Sequence, residues 1–108
     1  MKAAESIETF KKWIAEIEES NERLQKKFEA VQKDFLQKNS RKEMLELIAN
    51  EYAAEERDGF KAHFYYDNLA EEANELEKKY NQELRNYYKK SQYNNYLMNK
   101  LKEIIKIY

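Results

Sequence analysis

Apolar residues recur along the first third of the chain at steps of three and four residues. They are Ile7, Phe10, Ile14, Ile17, Leu24, Phe28, Val31 and Phe35. This is the spacing of a heptad seam, in which the a and d positions of one helix face another helix. The pattern predicts one long helix over residues 4–38.

Asn21 interrupts this series at a position where an apolar residue is expected. If Ile7 is an a position, Asn21 is an a position too. A buried Asn there costs stability but specifies register and helix number, because only some pairings satisfy its amide. We interpret Asn21 as an oligomer-register residue. If the chain is a structural coiled-coil assembly unit, Asn21→Leu should change the size of the oligomer.

A helix boundary is predicted at Asn39-Ser40. The segment from Ser40 to Glu43 matches a capping box, in which the Ser40 hydroxyl caps the Glu43 amide and the Glu43 side chain reaches back. A connection this short would make the flanking helices antiparallel neighbours.

The second helix is predicted over residues 41–90. Its first apolar side holds Met44, Leu45, Ile48, Tyr52 and Ala53, and the spacing continues through Phe60, Phe64, Leu69, Ala73, Leu76 and Tyr80. Both Asp58-Gly59 and Asp67-Asn68 are turn or cap signals. We therefore expect this helix to be kinked or broken near 58–68.

The last segment keeps the same spacing at Leu84, Tyr87, Met98, Leu101, Ile105 and Tyr108, but its polar stretch 91–95 indicates a kink or a break. A final amphipathic helix is predicted over 92–107. The fold class is therefore all-α. It is a long antiparallel helical hairpin closed by a shorter C-terminal helix, in one helical domain over 1–108. The absence of Pro and the single Gly agree with a fold that is poor in tight turns.

The chemistry of an enzyme or of a metal site is not visible in the sequence. There is no Cys, and His63 is the only histidine, with Asp67 four residues on. One His and one Asp are too few ligands for a protein-only metal site. The chain has no Gly-rich phosphate loop, and no motif places a carboxylate pair in a pocket. We therefore expect a non-enzymatic protein without a cofactor or a bound metal.

No stretch of the sequence is typical of a targeting or membrane segment. The first residues lack the apolar core of a secretory signal, and no run approaches the roughly 18 apolar residues of a membrane span. We expect a soluble, cytoplasmic protein.

Charge is distributed unevenly along the chain. Residues 1–42 carry 10 basic and 8 acidic groups, residues 43–77 carry 2 and 11, and residues 78–108 carry 8 and 2. An acidic helix is most often a solvated surface. The functional interpretation is a negative surface that docks on a basic surface of another protein. Its candidate partner-binding carboxylates are Glu51, Glu55, Glu56, Asp58, Glu71, Glu72 and Glu75.

The basic C-terminal segment 78–108 is rich in tyrosine. Tyr88, Tyr93 and Tyr96 fall outside the apolar stripe, so we expect them to be exposed, and exposed Tyr is typical of protein–protein hot spots. An alternative is nucleic-acid binding, with phosphates on Lys and Arg and bases stacked on Tyr. The face of the final helix also suits an anionic membrane surface.

The leading hypothesis is a protein-binding module, such as a small inhibitor or adaptor. Residue usage rich in Lys, Asn, Ile and Tyr is typical of an AT-rich genome and suggests a phage or mobile-element origin. The alternatives are a nucleic-acid-binding protein and a structural coiled-coil assembly unit. A homodimer is a further expectation, because pairing would bury apolar surface that one chain leaves exposed.

Overall fold

A computed structural model describes residues 3–107. It contains three α-helices, α1 (Ala3–Glu51), α2 (Arg57–His63) and α3 (Tyr66–Ile107), and one 3₁₀ turn at Ala54–Glu56. Residues 3–107 contain no strand. The all-α class is therefore confirmed. Tyr108, which belongs to the predicted apolar stripe, lies outside the described residues.

The contacts of the chain group into two compact units. The terminal unit holds the described parts of residues 1–28 and 84–108, and the central unit holds residues 29–83. The prediction of a single domain stays a prediction.

The terminal unit is built from the first half of α1 and the last half of α3. Ile14, Ile17 and Leu101 form its core, and Phe10, Met98 and Ile105 pack against them. Phe28 stacks on Tyr87 with ring centroids 5.1 Å apart. As the residue numbers rise along α1, those of the contacts on α3 fall, so the two helices are antiparallel.

The central unit has the same antiparallel arrangement. Phe35 stacks on Tyr80 at 5.3 Å, and nearer the chain reversal the Tyr66 hydroxyl donates a hydrogen bond to Glu46. Ala49 and Ala73 are buried. Small side chains at such positions allow helix backbones to approach closely. The helical hairpin predicted from the sequence is thus confirmed.

The boundary predicted at Asn39-Ser40 is wrong, because α1 continues through both residues to Glu51. The Asn39 amide instead donates to the Glu43 carboxylate at 3.0 Å, one turn along the same helix. Apolar burial continues on one side of α1 beyond this point, at Leu45 and Ala49. Tertiary packing of that kind outweighs a local capping signal.

The reversal of the chain lies further along than predicted, between Glu51 and Tyr66. Arg57 donates to the carbonyl oxygens of Ala49 and Asn50, each at 3.0 Å, and so satisfies backbone acceptors at the end of α1. The helical conformation is lost again at Phe64 and Tyr65, where Tyr65 has φ 55°. Gly59 lies inside α2 and Asp67 inside α3.

The side of α1 assigned to the core after residue 41 also needs correction. Met44 and Ile48 are exposed, whereas their neighbours Leu45 and Ala49 turn inward. The cause is the continuity of α1: its buried side is set by the heptad that begins at Ile7, and a helix started afresh at residue 41 would have its own phase.

No separate helix begins at residue 92, because α3 continues unbroken to Ile107. The polar residues that suggested a break, Ser91 and Asn94, occupy half-buried positions of the same stripe. Asn94 has hydrogen-bond partners on α1, described below, so the polar stretch does not have to leave the helix to satisfy its side chains.

Candidate functional site

The carboxylates predicted at the first half of the acidic segment lie around the chain reversal of the central unit. Glu51 ends α1, Glu55 and Glu56 lie in the 3₁₀ turn, and Asp58 is in the first turn of α2. All four side chains are exposed. Among residues 3–107 none of them forms an ion pair. Their charge is therefore available to a partner.

A partly exposed aromatic cluster lies among these carboxylates. Phe60 stacks on Tyr52 at 5.1 Å and contacts Phe64 at 5.2 Å, and His63 meets the Phe64 ring edge-on at 4.9 Å. These rings, with Glu55, Glu56 and Gly59, line an open cleft of about 440 Å³. The sequence analysis missed this cluster. Its signal was the four-residue step between Phe60, in α2, and Phe64, which directly follows α2; residues at this spacing are neighbours on a helix surface.

The remaining predicted carboxylates lie on α3. Glu71, Glu72 and Glu75 are exposed and line a second open cleft, of about 600 Å³, together with Asn68 and Leu76. Glu72 accepts from Lys38 at 2.9 Å and Glu75 from Lys78 at 3.4 Å. No ion pair involves Glu71 in the described part of the chain. Exposed pairs of this kind contribute little to stability.

The electrostatics of the central unit are strongly negative. It carries 14 acidic and 8 basic groups, a net charge of −6. Aromatic faces beside carboxylates suit Lys or Arg, because the ring quadrupole and the carboxylates both attract a cation. The 440 Å³ cleft therefore suits basic side chains.

A hydrogen bond between Tyr66 and Glu46 joins the start of α3 to α1. Because the Tyr66 hydroxyl donates to a carboxylate and is partly desolvated, its pKa is raised to about 12. Lys61 lies over the same ring, with Nζ 4.7 Å from the centroid. This group is structural, since it fixes the register at the closed end of the hairpin.

The tyrosines predicted to bind a partner lie on α3 in the terminal unit. Tyr88, Tyr93 and Tyr96 are all more than 60% exposed, as expected from their positions outside the stripe. The Lys100 ammonium lies 5.6 Å from the Tyr96 ring centroid. The structure thus assigns the acidic residues and the tyrosines to different units.

Asn21 takes part in a hydrogen-bond cluster between α1 and α3. Its carbonyl accepts from the Asn94 amide at 2.9 Å, and its own amide donates to Asn95 at 3.1 Å. Asn94 also donates to the Ser20 hydroxyl at 3.3 Å. These bonds specify the register of the hairpin within one chain. A role of Asn21 in choosing the number of chains stays a prediction.

His63 is exposed, and its nearest described ring neighbour is Phe64. Over residues 3–107, no three His, Cys, Asp or Glu side chains come together as a metal site would require. None of the helices, as far as the structure describes them, has an apolar stretch that could cross a membrane.

Comparison with known proteins supplies no relative: no family model, no curated protein and no solved structure matches this chain.

Proposed function

We propose that this chain is a non-enzymatic protein-binding module whose central unit docks on a basic surface of another protein. The supporting observation is the group of unpaired, exposed carboxylates around the aromatic cleft at the chain reversal. Carboxylates alone would be an ordinary solvated surface. Exposed rings beside them add desolvated contact area, which an interface needs in addition to charge.

Each part of this surface has a distinct role in the proposed complex. Glu51, Glu55, Glu56 and Asp58 attract Lys and Arg of the partner and speed the encounter. Tyr52, Phe60 and Phe64 provide the apolar contact. Glu71, Glu72 and Glu75 extend the negative surface along α3. A module of this kind acts as an inhibitor or adaptor by occupying a basic groove.

Three further expectations from the sequence belong to the same proposal. A phage or mobile-element origin fits the residue usage, and a cytoplasmic location stays an expectation. A homodimer fits the exposed apolar residues of α1, which include Met44, Leu47 and Ile48.

The test is a pull-down with the tagged chain from host lysate, with and without nuclease, at low and moderate salt. We expect a stoichiometric protein partner that survives nuclease treatment and is released as salt rises. The informative variant is Glu55→Lys/Glu56→Lys/Glu71→Lys, which should reduce capture at least tenfold, since rim and central charges steer and hold such complexes.

The matched control is Glu16→Lys/Glu18→Lys/Glu19→Lys, which makes the same change in net charge at exposed positions of the terminal unit. It should retain capture. Equal loss of the partner in both variants would show that only net charge matters and would contradict a site in the central unit.

Nucleic-acid binding by the terminal unit is the second candidate. The terminal unit has 12 basic and 7 acidic groups, a net charge of +5, and exposes Tyr88, Tyr93 and Tyr96. Lys and Arg beside stacking rings suit single strands. Nuclease-sensitive recovery of nucleic acid that is lost in Arg85→Glu/Lys89→Glu would favour this function over the first.

A further inference from the structure

The outward side of α1 in the central unit carries a second apolar face. Leu36, Met44, Leu47 and Ile48 are each about half exposed, between 46% and 56%. At about 100° per residue, the direction of Met44 and Leu47 is roughly 150° from that of the inward-facing Leu45 and Ala49. This part of α1 is therefore apolar on two opposite sides, of which α3 covers one.

A half-exposed apolar stripe with helical spacing is unusual on a solvated helix. Leu47 and Ile48 lie three and four residues after Met44, so both are neighbours of Met44 on the helix surface and the three form one short apolar ridge. Exposed apolar ridges of this kind indicate interaction sites, because leaving them in water costs free energy.

We propose that this outer face of α1, defined by Leu36, Met44, Leu47 and Ile48, binds the same face of a second copy, with the two α1 helices antiparallel. A twofold axis between Leu45 and Glu46 places Met44 opposite Leu47 of the second copy, and Leu47 opposite Met44. The face is then self-complementary, as an isologous interface must be.

Charge supports this register. Arg41 comes level with Asn50 of the second copy, one residue (about 1.5 Å) from Glu51, at both ends of the apolar ridge. The Arg41 and Glu51 side chains are exposed, and neither has an ion-pair partner in the described part of the chain. The stretch of α1 from 29 to 51 is also nearly neutral, with 4 basic and 5 acidic groups, unlike the acidic segment that follows. Two copies can therefore approach here without strong repulsion.

The interface is short, and we expect a weak dimer. In this register residues 40–51 of the two α1 helices lie side by side, and Leu36 lies beyond this overlap. About 12 residues of each helix span roughly 18 Å, so the contact lies at the small end of specific interfaces, with Kd on the order of micromolar.

Sedimentation velocity from about 1 to about 500 μM tests the proposal. The wild-type chain should move from monomer to dimer over this range. Leu47→Glu should stay monomeric, because it would bury an unpaired charge. Tyr93→Glu makes the same kind of change at an exposed ring on α3 and should dimerise normally. Circular dichroism checks that each variant is folded. A wild-type chain that stays monomeric throughout, or a Leu47→Glu chain that still dimerises, overturns the proposal.

Cross-linking tests the register, and the absence of Cys from the chain makes it direct. Met44→Cys mixed with Leu47→Cys should form a disulfide-linked pair under mild oxidation. Met44→Cys mixed with Ser40→Cys should not, because that pairing needs a shift of seven residues, about 10 Å. If Met44→Cys cross-links faster with Ser40→Cys than with Leu47→Cys, the proposed antiparallel register is overturned.

Salt separates this inference from the proposed function. Capture of a basic partner should weaken as salt rises, whereas apolar self-association of two units that each carry −6 should persist or strengthen. The basic-partner proposal and the dimer proposal can therefore fail independently of each other.

Discussion

Two groups of polar side chains set the register between α1 and α3 at the scale of single residues. In the terminal unit Asn21 bonds to Asn94 and Asn95, and in the central unit Tyr66 bonds to Glu46. Apolar packing is tolerant of small shifts along a seam, whereas hydrogen bonds require particular partners. Each unit thus has its own device for holding the pairing in place.

A double-mutant cycle at Asn21 and Asn94 should reveal their coupling. Asn21→Leu alone should lower the free energy of unfolding by about 1 kcal/mol, because it removes an acceptor and leaves a half-buried amide short of a partner. Adding Asn94→Leu should restore part of this loss, since both polar groups are then absent. Urea denaturation measures the free energy of unfolding of each variant, and strictly additive effects would contradict a direct bond between Asn21 and Asn94.

The Tyr66 hydroxyl should make stability depend on pH in the alkaline range. Its pKa is raised from 10.0 to about 12 in the folded chain, so folding favours the protonated form. The stabilisation is fully present below pH 10 and is lost as pH rises towards 12. Tyr66→Phe should be less stable than the wild type by about 1 kcal/mol at pH 7.

The difference in free energy of unfolding between the wild type and Tyr66→Phe should shrink between pH 10 and 12, because only the wild type loses the contribution of the Tyr66 hydroxyl. Comparing them by urea denaturation at each pH cancels the titration of the other groups. A difference that stays constant up to pH 12 would show that the bond to Glu46 does not govern the Tyr66 pKa.

At the scale of elements, α2 and its ends are the least regular part of the described chain. This seven-residue helix contains Gly59, and a Cβ placed there meets nothing within 4 Å. Gly59→Ala should therefore raise the free energy of unfolding by about 0.5–1 kcal/mol, through helix propensity and a less flexible unfolded chain. An unchanged or lower stability in thermal unfolding would indicate that α2 is not helical in solution.

Replacing Tyr65, which follows α2, should also raise the free energy of unfolding. Its φ of 55° is a left-handed conformation that costs an L-residue free energy, and its side chain is 73% exposed, so little packing is lost. Tyr65→Gly should be about 0.5–1 kcal/mol more stable than the wild type. The matched control Tyr88→Gly, in the middle of α3, should be about 1 kcal/mol less stable. If Tyr65→Gly and Tyr88→Gly lose similar amounts of stability, the left-handed conformation at Tyr65 is contradicted.

The same elements show which sequence signals held and which failed. The three- and four-residue spacing from Ile7 to Phe35 matches the half-buried or buried side of α1 throughout. The capping box at Ser40 failed because a cap contributes about 1 kcal/mol, less than continued packing on α3. Candidate site residues were predictable as exposed, since they lie off the stripe. The aromatic cleft was not, because it depends on where the chain reverses.

At the scale of the whole molecule, the question is how many chains assemble. Asn21→Leu and Leu47→Glu separate two answers when molar mass is measured by light scattering. Because both amide partners of Asn21 lie within the chain, we expect Asn21→Leu to leave the mass unchanged and Leu47→Glu to reduce it at high concentration. A changed mass in Asn21→Leu would give this residue the oligomer-register role predicted from the sequence.

The sequence by itself determined the helical class, the inward stripe of α1 from Ile7 to Phe35 and that of α3, and the exposure of the candidate partner-binding carboxylates and tyrosines. These follow from periodicity and charge, which act residue by residue. Only the tertiary structure decided that α1 continues to Glu51, that the chain reverses around Arg57, and that Met44 and Ile48 point outward. Those outcomes depend on contacts between α1 and α3, whose summed free energy outweighs any single local signal.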